Sequence, residues 1–385
     1  MNTTYTSRVR GSLLGGAIGD QLGAGVEFEP FDRICEVHGP AGIRGFVPSY
    51  GRPEGRFTDD TQMTLFVAEG LIRADNQAWK QGECDPLVPL ADAHLRWLHT
   101  QGVPAEGEAG VEARGFGKVV SGWLIEQPVL HHQRAPGNSC LMGLKELPRD
   151  PLVPARNDSK GCGGVMRIAP VGLAFPIDWN PFEMGADFAG LTHGHPTGRL
   201  AAGAQAVIVS ELCVGAPLRA AINSAVAELS EWEGSDETLA AIEKAVRLAG
   251  ESRDSGTVPG PETVEAELGG GWVAEEALAV ALFCALVAED AVRAGRTPVE
   301  GFQKGLLVAV NHSGDTDSTG AICGNLLGAR FGEECLPGEW LADLEARELI
   351  ETVADDLALQ FGSLWDEDAP TPEEFGPDLD RYPAW

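Results

Sequence analysis

The sequence predicts an all-α protein, a single compact multi-helix domain over residues 1–365 followed by an acidic, Pro-rich extended tail over 366–385. Three observations predict it. Apolar residues recur at helical spacing along most of the chain, as in Met63, Phe66, Val67 and Leu71, or Leu278, Leu282 and Leu286. Glycine recurs every four residues at 11, 15, 19 and 23, marking one helix face for another helix to approach closely. No internal repeat and no interior linker divides the 385 residues.

In order, residues 7–24 form the first helix. Glycine costs about 1 kcal/mol against alanine in a helix interior, so four on one face imply a compensating contact. Asp20 sits beside that stripe, and Glu27, just beyond the helix, is placed at a cleft. Residues 30–55, rich in Gly and Pro, read as loop with short strand pieces, before a helix over 60–74. A further helix covers 86–100, with Leu90, Leu95, Trp97 and Leu98; a loop follows over 102–117, then a short helix over 119–127. The connection over 128–164 is long enough to be functional or disordered. It ends in NDSKGCGGVMR, where Gly161, Gly163 and Gly164 allow close backbone approach and expose N–H groups to a phosphate or sugar. A plain turn is the other reading; the motif is neither a Walker loop nor a dinucleotide fingerprint.

From 167 onward the pattern is helical almost throughout. It breaks once at LTHGHP, before a helix over 197–213. His193 and His195 have no third ligand nearby, so a substrate-facing His193 is preferred over a satisfied structural histidine. Residues 218–249 give one or two amphipathic helices, 250–271 an exposed insertion, and 274–294 an apolar helix central to the core. Helices continue to about 363.

Two stretches carry the chemistry. Residues 311–324, NHSGDTDSTGAICG, place Asp315 and Asp317 one residue apart among hydroxyls at the start of a small-residue helix. Acids this close repel unless a cation neutralises them. Alone, the stretch is equally a helix N-cap with a first-turn acid. Residues 55–71 repeat the build with Thr58, Asp59 and Asp60 before another apolar helix, as the two halves of a dinuclear site would. Neither cluster holds a His or Cys at ligand spacing, which argues for magnesium or manganese and against zinc.

The formal net charge of −30 disfavours broad nucleic-acid binding, which needs positive charge against phosphates. It suits a basic protein partner, or solubility alone. No run approaches the roughly 18 apolar residues of a membrane span, and the N-terminal helix, without a cleavage site, reads as part of the mature fold. Eight cysteines without a C-x-x-C pair, several inside apolar helical patterns, fit a reducing, cytoplasmic compartment.

Taken together, GSLLGGAIGDQLGAGVEF, GRFTDDTQMTLFVAEGL, KGCGGVMRIAPVGL, LTHGHPTG and HSGDTDSTGAICGNLLGA, in order from about residue 8 to 332, resemble the ADP-ribosylglycohydrolase family. That family includes the dinitrogenase reductase-activating glycohydrolase and the ADP-ribosylarginine hydrolases. The resemblance implies an all-α fold of that type with two Mg²⁺ or Mn²⁺ ions in a cleft. Thr58, Asp59, Asp60, Asp315, Asp317 and Ser318 fall on the metal ligands. Glu27 falls on a carboxylate near the reacting ribose, and the acid/base role is open among Glu27, Asp60 and Asp315. Gly161, Cys162, Gly163 and Gly164 fall on the loop around ADP-ribose, His193 beside it, and Gly115 and Gly117 on a second diphosphate-facing loop. Two residues depart from the pattern: Cys162 stands where the family often has Asn, and Ser318 where many members have Thr. The implied reaction is metal-dependent hydrolysis of the N-glycosidic bond of mono-ADP-ribosylated protein, at arginine, releasing ADP-ribose. The alternatives are another dinuclear-metal hydrolase of a free ADP-ribosyl or nucleotide compound, or an immunity-type protein that also blocks an ADP-ribosyltransferase toxin. No nucleic-acid or membrane partner is expected.

Overall fold

The computed structural model describes residues 3–106, 119–147, 150–151, 153–174, 180–364 and 378–384. Among them sixteen α-helices follow one another. The first half holds α1 (Tyr5–Gly23), α2 (Phe31–His38), α3 (Asp59–Gln81), α4 (Leu87–Thr100), α5 (Asn138–Lys145), α6 (Ala169–Ala174), α7 (Pro181–Gly190) and α8 (Pro196–Cys213). The second holds α9 (Leu218–Leu229), α10 (Asp236–Ser255), α11 (Pro261–Leu268), α12 (Ala274–Arg293), α13 (Pro298–Ala309), α14 (Thr316–Phe331), α15 (Gly338–Asp343) and α16 (Arg347–Phe361). No strand occurs among the described residues beyond two isolated bridges, Ser49 with Arg52 and Gly161 with Val273.

The glycine stripe explains the centre of the molecule. α1 lies against α14 with backbone touching backbone: a Cβ on Gly19 would sit 2.0 Å from Gly320 O, and one on Gly324 2.0 Å from Gly15 O. Neither helix has room for a side chain along this seam, which is why the propensity cost of glycine is accepted there. The remaining faces of α1 are also covered, and Val9, Ile18 and Leu22 are fully buried. α12 supplies the second core element, with Leu278, Leu282, Phe283 and Leu286 fully buried.

Ion pairs fix the elements that frame the cleft. Glu69 on α3 accepts from Arg96 on α4 at 2.8 Å, both buried. Arg134 reaches from its loop to Phe57 O at 2.8 Å and pairs with Glu345, tying residues 129–137 to the segment that enters α3. At the far end of the chain Tyr382 is buried; its carbonyl accepts from Asn76 Nδ2 at 2.9 Å and its hydroxyl donates to Asp356 at 2.7 Å.

The structure corrects several local expectations. Residues 31–38, expected as loop, form α2 with Ile34 buried, and Gly39 at φ +97° ends it. Over 119–127, expected as a helix, residues 120–123 are irregular and Leu124–Glu126 is a 3₁₀ turn, with a second, Pro128–Leu130, just beyond. Residues 250–271, expected as an exposed insertion, complete α10 and form α11: 253–257 are exposed, Val264 and Leu268 are buried, and Gly270 O accepts from Asp315 N–H beside the cleft.

Candidate active site

Three segments distant in sequence are locked together by one buried carboxylate. Asp20, on the last turn of α1, accepts hydrogen bonds from the backbone N–H and hydroxyl of Thr58 at 2.8 and 2.9 Å. It also accepts from the N–H and hydroxyl of Thr61 at 2.9 and 2.5 Å. Both atoms of this carboxylate are thereby used, and the first turn of α3 is held against α1. That turn carries Asp59 and Asp60, at a helix N-terminus that favours negative charge. The start of α14 is pinned from two sides: the Thr316 hydroxyl donates to Gly23 O at 3.0 Å, and Asp315 N–H donates to Gly270 O at 2.8 Å. Asp315 caps that helix, and Asp317 accepts from Ser318 N–H at 2.9 Å. Glu27 enters from the turn after α1.

These pieces converge on an open cleft of about 340 Å³. Glu27, Asp59, Asp60, Asp315 and Asp317 line it, and no Lys or Arg does among the described residues. Glu27, Asp315 and Asp317 each bring a carboxylate oxygen within 4.8 Å of the other two. Burial, reinforced by Asp317, holds the Asp59, Asp60 and Asp315 carboxyls well above their ordinary range. The same two causes push Glu27 up to about 11 and Asp20 to about 7. Asp60 Oδ1 and Glu27 Oε2 are buried without a hydrogen-bond partner. An orphaned buried carboxylate oxygen is costly, and here two share a cleft lined by no Lys or Arg among the described residues. Hard oxygen donors in this state fit a divalent cation of the magnesium or manganese kind.

The other expected site residues divide. Ser318 lines the cleft, whereas Thr58 lies behind it, occupied with Asp20 and Asp60. Gly161, Cys162 and Gly163 line the cleft. Gly164 does not: a Cβ there would meet Ala189 at 3.0 Å, so packing explains that glycine. His193 faces the cleft through Gly161 and Gly163, its ring 3.4 Å or less from where their Cβ atoms would be. Arg167 donates to the Thr192 hydroxyl at 2.7 Å, and that hydroxyl lies 2.8 Å from His193 Nδ1. The Thr192 hydroxyl also lies 3.4 Å from Ala189 O, so it can give its proton there or to Nδ1, and either tautomer presents Nε2 beside the glycine loop. Burial and the Arg167 charge push His193 down to about 3, so the ring is neutral. Gly115 and Gly117 lie outside the described residues.

Sequence reasoning missed part of the wall. Residues 135–140 line it, and Gly137 N–H donates to Asp59 at 3.3 Å. Their Pro-Gly-Asn turn, inside a connection too long to be idle, was the available signal. Phe28 and Trp272 also line the cleft as a stacked pair, ring centroids 5.8 Å apart, 70% and 45% exposed. Asp20 was visible only as a neighbour of the glycine stripe; its role depends on contacts with residues 58 and 61.

Compared with known proteins, residues 1–367 match the model of a family described as ADP-ribosylglycohydrolase. The chain belongs to the ADP-ribosylglycohydrolase family. It is 25% identical over 364 residues to the ADP-ribosyl-(dinitrogen reductase) glycohydrolase of Rhodospirillum rubrum, covering 91% of this chain and 96% of that protein. It is 24% identical over 377 residues to the ADP-ribosylhydrolase ARH3 of Mus musculus, covering 92% of each. It is 26% identical over 376 residues to the ADP-ribosylarginine hydrolase Tri1 of Pseudomonas putida, covering 91% of this chain and 77% of that one. A solved structure titled ADP-ribosylglycohydrolase-related protein complex superposes with a TM-score of 0.59 at 27% identity, over 92% of this chain and 97% of the other. The all-α fold and the family resemblance of the sequence both stand. Family membership makes the chain a hydrolase of ADP-ribosyl glycosidic bonds. Among the described residues no helix is long and apolar enough to cross a membrane.

Proposed function

We propose that this chain removes mono-ADP-ribose from modified arginine side chains of proteins, with two Mg²⁺ or Mn²⁺ ions held by Asp59, Asp60, Asp315, Asp317 and Ser318, and Thr58 positioning Asp60 behind them. The observation that carries the reading is the convergence of five acidic side chains, two with orphaned buried oxygens, on a cleft without a lining Lys or Arg among the described residues. Bound there, the ions would supply Lewis acidity and neutralise the cluster.

The residues then divide the work. Gly161 and Gly163 let the backbone approach a diphosphate, and neutral His193 presents Nε2 beside them without adding charge. Cleavage at the anomeric carbon passes through an oxocarbenium-like state, which the surrounding carboxylates stabilise. The glycosidic electron pair leaves with the guanidinium nitrogen, already cationic, so little acid assistance is needed. Water attacks, and its proton passes to Glu27, whose Oε2 is free of other partners and whose carboxyl ionises once bound cations offset the neighbouring acids. Asp60 and Asp315 are the other candidates for that proton. One relative is named for arginine, and the acidic chain suits a basic protein partner.

The test is release of free ADP-ribose from arginine-, serine- and DNA-linked substrates, with Mg²⁺, Mn²⁺ or EDTA. Arginine-linked substrate is expected to turn over fastest, and only with metal. Faster cleavage of serine-linked substrate under matched conditions would overturn the arginine assignment.

A further inference from the structure

Every donor just named for the cations is a hard oxygen, but sulfurs share their cleft: those of Cys140, Cys162 and Met166 line it, and that of Cys162 meets a carboxylate. Cys162 Sγ donates to Asp315 Oδ2 at 2.8 Å and lies 3.6 Å from Ser318 Oγ. Its backbone is fixed: its N–H donates to Trp272 O at 3.3 Å, and its carbonyl accepts from Val165 and Met166 at 2.9 and 3.0 Å. The sulfur is therefore held at the carboxylates by the 3₁₀ turn of the glycine loop. A second observation points to a ligand in the same cleft: Asp60, 3% exposed, lines it with Oδ1 lacking any partner. Other cysteines sit differently. Cys213, Cys284, Cys323 and Cys335 are buried in the hydrophobic core, and Cys140 Sγ accepts from Arg167 at 3.4 Å.

We propose that Cys162 Sγ is a thiolate ligand of the cation site, which turns the site of this chain towards borderline and soft divalent cations such as Co²⁺, Zn²⁺ and Cd²⁺. The proposal rests on the carboxylate cleft being the metal site. Thiolates select such ions over Mg²⁺, which prefers oxygen. On binding, the S–H bond breaks heterolytically; its electron pair stays on sulfur as the donated pair, and the proton leaves to solvent.

The experiment is Co²⁺ titration of the metal-stripped full chain, followed by absorption, with Cys162→Ser and Cys162→Asn in parallel. The second variant carries the residue common in the family and guards against loss of fold. The wild type is expected to show a sulfur-to-cobalt charge-transfer band in the near ultraviolet. Both variants should lose it while keeping the visible d–d bands of bound Co²⁺. Loss of even an outer partner of a metal ligand weakens binding about 10–100-fold, so Cd²⁺ affinity should fall by at least about tenfold. Mg²⁺ affinity should not fall. Visible bands without charge transfer in the wild type, or charge transfer that survives both substitutions, would overturn thiolate ligation and leave the carboxylate site standing. No Co²⁺ binding to the wild type would overturn both.

Discussion

Alanine in place of Gly19 puts a single methyl group into the seam between α1 and α14. Its Cβ would lie 2.0 Å from Gly320 O and 2.3 Å from Gly320 C, where ordinary contact begins near 3.4 Å. Backbone atoms cannot swing aside, so the two helices must part by more than an ångström. Overpacking of this kind costs about 1–3 kcal/mol, and the seam also loses a quarter to a half of its dispersion wherever a gap opens. The better helix propensity of alanine returns about 1 kcal/mol. The net loss is therefore about 2 kcal/mol. At about 2.1 cal/mol/K per residue, the unfolding entropy of 385 residues converts this to roughly 2–3 °C in melting temperature. The functional effect should be larger, because α14 carries Asp317 in its first turn and is capped by Asp315, while α1 and its exit turn carry Asp20 and Glu27. A misplacement of about 1 Å can cost roughly 100-fold in rate. Gly250→Ala is the control: nothing lies within 4 Å of its Cβ, its φ is ordinary, and it sits inside α10. That substitution should stabilise by about 0.4–1 kcal/mol. Thermal melts and turnover of both variants decide the matter. A Gly19→Ala protein that melts at or above the wild type with full turnover would refute the close-packed seam.

Four further outcomes are expected. Asp60→Asn and Asp317→Asn should each lower turnover at least about 100-fold and weaken Mg²⁺ binding; two full-strength calorimetric sites in either variant would contradict the ligand assignment. Saturating Mg²⁺ at 100 times its dissociation constant should stabilise the chain by about 2.7 kcal/mol per site, roughly 3 °C for each by scanning calorimetry against EDTA; no shift would count against a built cation site. In EDTA, stability should fall as pH rises from about 6.5 to about 9. Asp20 at about 7 and Glu27 at about 11 bind more protons folded than unfolded, so their stabilisation is full below the ordinary carboxylate range and lost on the way up. His193, lowered to about 3, acts oppositely and only below about 6.5, so a rise in stability across the higher window would refute the sign. Finally, added salt should raise KM for an arginine-modified protein more than it lowers kcat; a salt-independent KM removes charge steering.

The parts of this molecule that were legible in its sequence share a property: their signal is local. Four glycines at a spacing of four declare a helix face, and acids beside hydroxyls at the start of apolar periodicity declare a charged helix terminus. α2 and α11 were missed because eight residues give barely two turns, and one or two buried side chains, Ile34 or Val264 with Leu268, make no period. The wall at 135–140 and the Phe28–Trp272 stack were missed because each depends on a contact across the fold. Gly164 shows the converse: a glycine inside a ligand-like motif is there for Ala189 and Gly198, which pack against it.

The α1–α14 seam also governs the order in which this chain can fold. The Thr316 hydroxyl and the Gly23 carbonyl that it meets are 293 residues apart. A chain emerging from the ribosome makes α1 long before its partner exists, and a helix with glycine at every fourth position is weak alone. At about 5–20 residues per second, that wait lasts roughly 15–60 s. Until α14 arrives, Val9, Ile18 and Leu22 have no finished core to enter, and Asp20 has no settled terminus to clamp. Contacts of such long sequence separation also close slowly. The carboxylate-lined cleft is thus a late product of folding, assembled when α1 and α14 meet.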